Sequence, residues 1–523
     1  MKPIILAILD GWGIGELSQT NAVYKAKTPN LKSVEKKYPH CSLQSSGEVV
    51  GLPWKEAGNS EVGHLTIGSG RTIYQYLPRI SKDIKSGDFF KNPAFLKIIQ
   101  HVKNNNSTLH LMGLLSSGNV HSYLEHIFGL LELARQNEIQ NLRLHIFTDG
   151  KDAPLKEGVK IISTLLEELK NPNWKIASII GRFYAMDRNH NWDRTKIAYN
   201  LITDGVGEKI TEPIKKIKEA YDQDIVDTYI KPLVIVDADQ NPIGKINDND
   251  GIIYWDFRED SARQLTESFV KNDFNKFERR QINNLAFCTM TEYEKGLPID
   301  AAYPPKTITN HLTEILNNYH KKILKIAETE KYAHVTYFFN GGKEIPYPNE
   351  SRKLITSKIA SRYDEIPEMR ADEITKTIEN GIKENYDLIV ANYANTDMLG
   401  HTGNFKATVK AVECIDKTLK PLIALAEDGK CILIITSDHG NSETMINIRT
   451  GEPKTEHTLN PVPFYLVGKE FEQPAANSRM QADRYSFNPP EGLLSDIAPT
   501  ILELMQIPQP PEMTGKSLLE ILK

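Results

Sequence analysis

Short apolar runs recur along the chain, and each gives way to small or polar residues. Residues 4–9 run into Asp10-Gly11, residues 109–115 into Ser116-Ser117-Gly118, and residues 142–147 into Thr148-Asp149-Gly150. Residues 176–180 run into Gly181-Arg182, residues 388–390 lead to Asn392 and Asp397, and residues 431–435 run into Thr436-Ser437-Asp438. Runs of this length without alternation predict strands buried on both faces of a parallel sheet. Between them, apolar positions recur with helical spacing, which predicts helices over 123–135, 159–169, 371–384 and 405–426. Strands alternating with helices place the chain in the α/β class. In such sheets ligands sit beyond the carboxyl ends of the strands, where these polar residues fall. A turn explains any one ending on its own. It is a weaker account of six.

Composition narrows the picture. Hydrophobic residues make up 40% and charged residues 25% of 523 residues, which excludes disorder of the whole chain and fibrous classes. That length predicts two to four domains. The stretch 301–306, with Pro304-Pro305, reads as a linker, and a second crossing falls near 70–77. Residues 469–491 are polar and proline-containing and read as a surface excursion. With 63 basic against 68 acidic residues the net charge is −5, so a global basic field for nucleic acid is absent, although a local basic pocket remains open. Cys41, Cys288, Cys414 and Cys431 lie far apart without a CxxC pair, the pattern of reduced thiols in a cytoplasmic protein. The N-terminal apolar run is too short for a signal peptide, and no stretch approaches the ~20 apolar residues of a membrane span.

The chemistry concentrates at the strand ends. Asp397 and His401 stand four apart, so one helical turn would project both from one face. Ser437-Asp438-His439-Gly440-Asn441 follows a strand directly, Glu456-His457-Thr458 adds another imidazole, and Asp10 ends the first run. Mixed carboxylate and imidazole ligands suit Mn²⁺ or Zn²⁺, and this many suggest two ions, an arrangement that serves phosphoryl displacement. Each of these residues taken alone is better explained by a turn cap or a satisfied core group, an explanation that fails for all of them together. Ser60, within Ala57-Gly58-Asn59-Ser60-Glu61-Val62-Gly63-His64, is either a nucleophile beside small neighbours or a plain helix cap, a role Asn59 could also take. The middle of the chain carries His121, Asp149-Gly150-Lys151-Asp152, Arg182 to Arg188, and Phe257-Arg258-Glu259-Asp260. Arginines at strand ends would make a pocket for a small, multiply anionic substrate, with Asp152 placed to exchange a proton with a substrate hydroxyl.

At these residues the chain resembles the cofactor-independent phosphoglycerate mutases of the alkaline phosphatase superfamily. The resemblance runs from Leu9-Asp10-Gly11-Trp12-Gly13 to Met513-Thr514-Gly515, through 58–64, 182–188, 397–401, 438–441 and 457–463. It implies an alkaline-phosphatase-like three-layer α/β domain, discontinuous over 1–75 and 305–523, with a second α/β transferase domain inserted at 76–304. It implies interconversion of 3-phosphoglycerate and 2-phosphoglycerate through a phosphoserine on Ser60. It also implies two manganese ions, with Mg²⁺ or Co²⁺ as substitutes. Asp397, His401 and His457 match one metal site; Asp10, Ser60, Asp438 and His439 match the other. Lys331 matches the lysine near the nucleophile, and His121, Lys151, Asp152, Arg182, Arg188 and Arg258 match the substrate-holding set. A monomer acting on a small molecule, without nucleic acid or membrane, is expected. Three positions depart from the family pattern: Lys151 stands for an arginine, Asp256 for an asparagine, and Ser261 for a second substrate arginine, a residue that Arg263 is misplaced to replace.

Overall fold

In the computed structural model, which describes residues 2–358, 362–473 and 489–522, the strand Ile4–Leu9 sorts its side chains by parity. Ile4, Leu6 and Ile8 join Val62, Ile67, Leu312, Leu316, Ile497 and Ile501 on one side. Ile5, Ala7 and Leu9 join Leu31, Val34, Ile374, Ile378, Ile415 and Leu419 on the other. Successive strand side chains point to opposite faces, so a strand apolar at every position needs helices on both sides. The result is three layers, helices above and below one eight-stranded sheet. Its strands lie in the order Glu350–Ile355, Ile323–Glu328, Leu388–Tyr393, Ile4–Leu9, Ile432–Thr436, Val462–Val467, His40–Gln44, Gly492–Leu493. The first five run parallel, whereas Val462–Val467 is antiparallel to both neighbours.

The chain divides into two compact units, Met1–Gln75 with Thr307–Lys523, and Tyr76–Lys306. The second unit has its own eight-stranded sheet, in the order Asp300–Tyr303, Ala286–Thr291, Gly251–Tyr254, Leu109–Leu115, Leu142–Thr148, Trp174–Gly181, Leu233–Ile235, Glu208–Ile210. Only the pairing of Trp174–Gly181 with Leu233–Ile235 is antiparallel. Leu109, Leu111 and Leu115 face one helical layer and Met112 and Leu114 the other.

The six predicted strands and four predicted helices all form, with ends shifted by a few residues; the helix Phe405–Glu427, for example, extends the expected one by a single residue. The expected linker at 301–306 is half wrong. Asp300–Tyr303 is an edge strand hydrogen-bonded parallel to Ala286–Thr291, and irregular chain follows only after it. Ala302 and Tyr303 are buried against the second unit's core, which Pro304-Pro305 concealed in the sequence. Most of the excursion expected at 469–491 lies outside the described residues; within it, Lys469–Phe471 is a short helical turn. Among the described residues no helix is long and apolar enough to cross a membrane.

Candidate active site

The parallel strands of the first unit deliver their chemistry at one edge. Asp10 follows Ile4–Leu9, Asn392 lies at the end of Leu388–Tyr393, Asp438 comes two residues after Ile432–Thr436, and Lys331 ends the helical turn Thr329–Lys331 after Ile323–Glu328. The helix Ser60–Ser69 starts there too. Asn59 takes the cap, its side chain accepting the Val62 N–H at 3.1 Å, which leaves the Ser60 hydroxyl for other partners. Ser60 Oγ lies 3.2 Å from Asp10 Oδ1, 3.0 Å from His439 Nε2 and 2.7 Å from Lys331 Nζ. Lys331 also donates to Asp10 Oδ1 at 2.7 Å and Asp397 Oδ2 at 2.6 Å.

Asp397 sits in the short helix Asn395–Gly400, one turn before His401. Its Oδ1 is 3.2 Å from both His401 Nε2 and His457 Nε2. Both imidazoles are anchored through Nδ1, His401 on the Thr455 carbonyl at 2.7 Å and His457 on that of Gly58 at 2.8 Å. Anchored so, each presents an Nε2 lone pair, and the two nitrogens face each other at 3.0 Å. A carboxylate oxygen and two converging imine nitrogens, oriented from behind by backbone carbonyls, are the donor set a divalent cation takes. Two further sets, Asp10 with Asp397 and His439, and Asp10 with His64 and Asp438, also bring their donor atoms within 4.8 Å of one another. His64 Nδ1 is 3.2 Å from Asp438 Oδ2 but bonds the Ser60 carbonyl at 2.8 Å, so that carboxylate oxygen is buried without a hydrogen bond among the described residues.

Electrostatics follow from crowding buried charge. Burial opposes ionisation of Asp397, yet Lys331, His401, His457 and His439 hold it well below the usual carboxylate range. Asp438 is likewise held well below it, against burial, by His439, His64 and Lys331. Lys331 is raised, against burial, by Asp10, Asp397 and Asp438, and therefore stays an ammonium. His439 is pushed up to about 9, against burial, by Asp438, Asp10 and Asp397. His401 is raised, against burial, by the Asp397 carboxylate beside its Nε2, which favours the protonated ring.

The second unit holds a cavity of about 530 Å³ whose lining includes His121, Lys151, Asp152, Arg182, Arg188 and Arg258. Arg182 Nη1 reaches both Asp149 Oδ1 and Asp152 Oδ2 at 2.5 Å. Arg188 and Arg258 share Asp260 Oδ2, at 2.5 and 3.2 Å. His121 lies 3.7 Å from Asp152 and 3.8 Å from Asp260, and burial, reinforced by Arg182, brings it down to about 4. It is a neutral imidazole at physiological pH. Ser261 lines the cavity, while Arg263 turns away to the Tyr293 carbonyl and Glu294.

Residues 80–295 match the family model described as BPG-independent PGAM N-terminus, and residues 275–460 match that of type I phosphodiesterase / nucleotide pyrophosphatase. A 2,3-bisphosphoglycerate-independent phosphoglycerate mutase of Methanosarcina barkeri is 47% identical, covering 99% of this chain and 98% of its own. The chain belongs to this mutase family. Mutases of the same name from Nostoc punctiforme and Clostridium perfringens are each 45% identical over 99% of the chain, covering 96% and 99% of their own lengths. A solved structure, Leishmania mexicana phosphoglycerate mutase at low cobalt concentration, aligns with a TM-score of 0.58 at 28% identity, over 98% of this chain and 97% of that one. As a member of the mutase family the chain is an enzyme of the isomerase class.

The geometry thus gathers Asp10, Ser60, Lys331, Asp397, His401, Asp438, His439 and His457 in the first unit, and His121, Lys151, Asp152, Arg182, Arg188 and Arg258 around one cavity in the second. Sequence reasoning passed over three polar residues in the first group. His64 and Asn392 contact Ser60 and Asp10, and Asn441 Nδ2 donates to Asp397 Oδ1 at 3.0 Å. Each lies inside or beside a motif already singled out, but nothing in the spacing separates a ligand from the residue behind it.

Proposed function

We propose that this chain interconverts 3-phosphoglycerate and 2-phosphoglycerate, as glycolysis and gluconeogenesis require, through a phosphoserine on Ser60. The observation that carries the reading is the setting of Ser60 Oγ, at a helix N-terminus between Asp10, His439 and an ammonium 2.7 Å away. Two divalent cations would be held by Asp397, His401 and His457, and by Asp10, Ser60, Asp438 and His439. The reading takes them as Mn²⁺, with Mg²⁺ or Co²⁺ as substitutes. When bound, they would supply positive charge that lowers the proton affinity of the serine hydroxyl and offsets charge on the phosphoryl group.

The residues then divide the work. Ser60 Oγ attacks phosphorus; the serine O–P bond forms as the bond from phosphorus to the glycerate oxygen breaks. Asp10 Oδ1, 3.2 Å from the hydroxyl, is placed to take the serine proton. Lys331 keeps a charged donor where the transferring group gathers negative charge. Arg182, Arg188, Arg258 and Lys151 hold the anionic groups of the substrate, and His121 donates as a neutral imidazole. Asp152, a carboxylate beside Arg182, takes the proton of the second glycerate hydroxyl and passes it to the departing oxygen, and the second oxygen then recovers the phosphoryl group. Serine regains its proton, and nothing is consumed. The enzyme acts as a cytoplasmic monomer in this reading. An enolase-coupled assay with Mn²⁺ and no bisphosphoglycerate, run in both directions, tests it. Turnover lost in Ser60→Ala supports the covalent role, and turnover kept in that variant refutes it.

A further inference from the structure

We propose that His64 and Asn392 form a hydrogen-bonded bracket that fixes Asp10 and the first turn of the Ser60 helix for cation binding at one of the two ligand sets. The inference rests on the metal reading above and assigns roles to two residues that neither hold a cation nor touch substrate. Both side chains are fully buried.

The hydrogen-bond chemistry leaves one arrangement. Asn392 Nδ2 donates to Asp10 Oδ2 at 2.6 Å and lies 3.1 Å from His64 Nε2. An amide nitrogen only donates, so Nε2 accepts and the imidazole proton is on Nδ1. The flipped amide would set its oxygen against the Asp10 carboxylate, so Asp10 fixes the amide and the amide fixes the tautomer. Nδ1–H then donates to the Ser60 carbonyl at 2.8 Å. Both amide hydrogens and both ring nitrogens thereby have hydrogen-bond partners.

The bracket also chooses which oxygen of Asp10 is offered. Oδ2 is occupied by Asn392, so Oδ1 faces Ser60, Lys331 and His439, at 3.2, 2.7 and 3.4 Å. Asn392 does this at a cost, because its own Oδ1 is buried without a hydrogen-bond partner among the described residues. No part of the bracket reaches the Asp397–His401–His457 set. Removing it is therefore expected to damage one cation site and spare the other.

The test is Mn²⁺ binding to metal-free full-length protein, followed by calorimetry and by the Mn²⁺ electron paramagnetic resonance spectrum, with thermal melts of the metal-free protein alongside. His64→Ala and Asn392→Ala are each expected to weaken one of two sites about 10–100-fold, the usual cost of losing a group that orients a ligand, and to leave the other unchanged. The double variant should lose less than the sum of the two singles, because the two side chains are coupled through the hydrogen bond they share. Asn392→Ser carries the same test should His64→Ala fail to fold. Two intact sites, equal weakening of both, or additive losses would overturn the bracket. Wild-type protein that binds no Mn²⁺ would instead overturn the metal reading, and the bracket with it.

Discussion

Lys331 Nζ stands 2.7 Å from Ser60 Oγ, closer to the hydroxyl than either Asp10 or His439. Its charge is secured by three carboxylates, so it offers a fixed cation where a transferring phosphoryl group would develop charge. Lys331→Met keeps much of the side-chain volume and deletes the donor. The expected result is a kcat lower by about 10²–10³, the range seen when one such donor is lost. A coupled assay measures it, and an unchanged kcat would remove Lys331 from the chemistry.

The cavity of the second unit separates binding from stability. Arg182 is buried and paired with Asp149, itself 3% exposed, whereas the Arg258 side chain is 46% exposed. Losing a charged hydrogen bond to substrate costs about 1.5–3 kcal/mol, so either arginine changed to Ala should raise KM about 10–100-fold. Only Arg182→Ala also removes the cation paired with a buried carboxylate, a loss of about 3–5 kcal/mol that the bonds Asp149 keeps from Ser116 Oγ and from the Lys151 and Asp152 N–H groups offset in part. Urea melts should therefore show a large destabilisation for Arg182→Ala and little for Arg258→Ala. Equal melts would mean that the Asp149 pair adds no stability.

The parallel strands were legible because burial on both faces writes itself as an unbroken apolar run, as in residues 4–9 and 109–115. Strands at the sheet margins were not. Glu350–Ile355 is buried only at its two ends, and Glu208–Ile210 has only one buried residue, so neither stands out from loop. Val462–Val467 is apolar enough, but its antiparallel direction depends on which strand it meets. At the site, Asp and His residues at strand ends were visible by type. His64 and Asn392 were not, since a residue that orients a ligand looks like any core polar group until its partners are in place.

Asp256 ends up fully buried beyond the strand Gly251–Tyr254, its Oδ1 accepting the Leu114 N–H at 2.8 Å. Burial pushes its carboxyl from 3.8 up to about 8; the Leu114 bond and Arg182 pull it down less, and Asp149 pushes it up. The folded protein therefore holds a proton that the unfolded chain releases. Stability contributed by that proton is complete below pH 4 and is lost as pH rises toward 8, by up to about 1.4 kcal/mol per pH unit. Asp256→Asn keeps the acceptor and removes the titration. Its melting temperature should exceed that of the wild type by a margin that grows from pH 5 to pH 8 and then levels. A margin independent of pH would show that Asp256 is ionised throughout.

Gly63 is where the nucleophile's helix meets the Asp438 turn. A Cβ there would lie 2.7 Å from the Asp438 carbonyl oxygen and 2.8 Å from its Cβ. Two effects oppose each other in Gly63→Ala. Helix propensity favours alanine by about 1 kcal/mol. Overpacking costs about 1–3 kcal/mol, and here the obstacle is backbone, which yields least. Packing should win, so the variant melts lower and, because the helix is displaced from Asp438, loses turnover more than stability. Glu61→Ala, an exposed position on the same helix, controls for propensity and is expected to leave both nearly unchanged. Higher stability in Gly63→Ala with full activity would show that the turn yields, and that the spacing between Ser60 and Asp438 is not set by this contact.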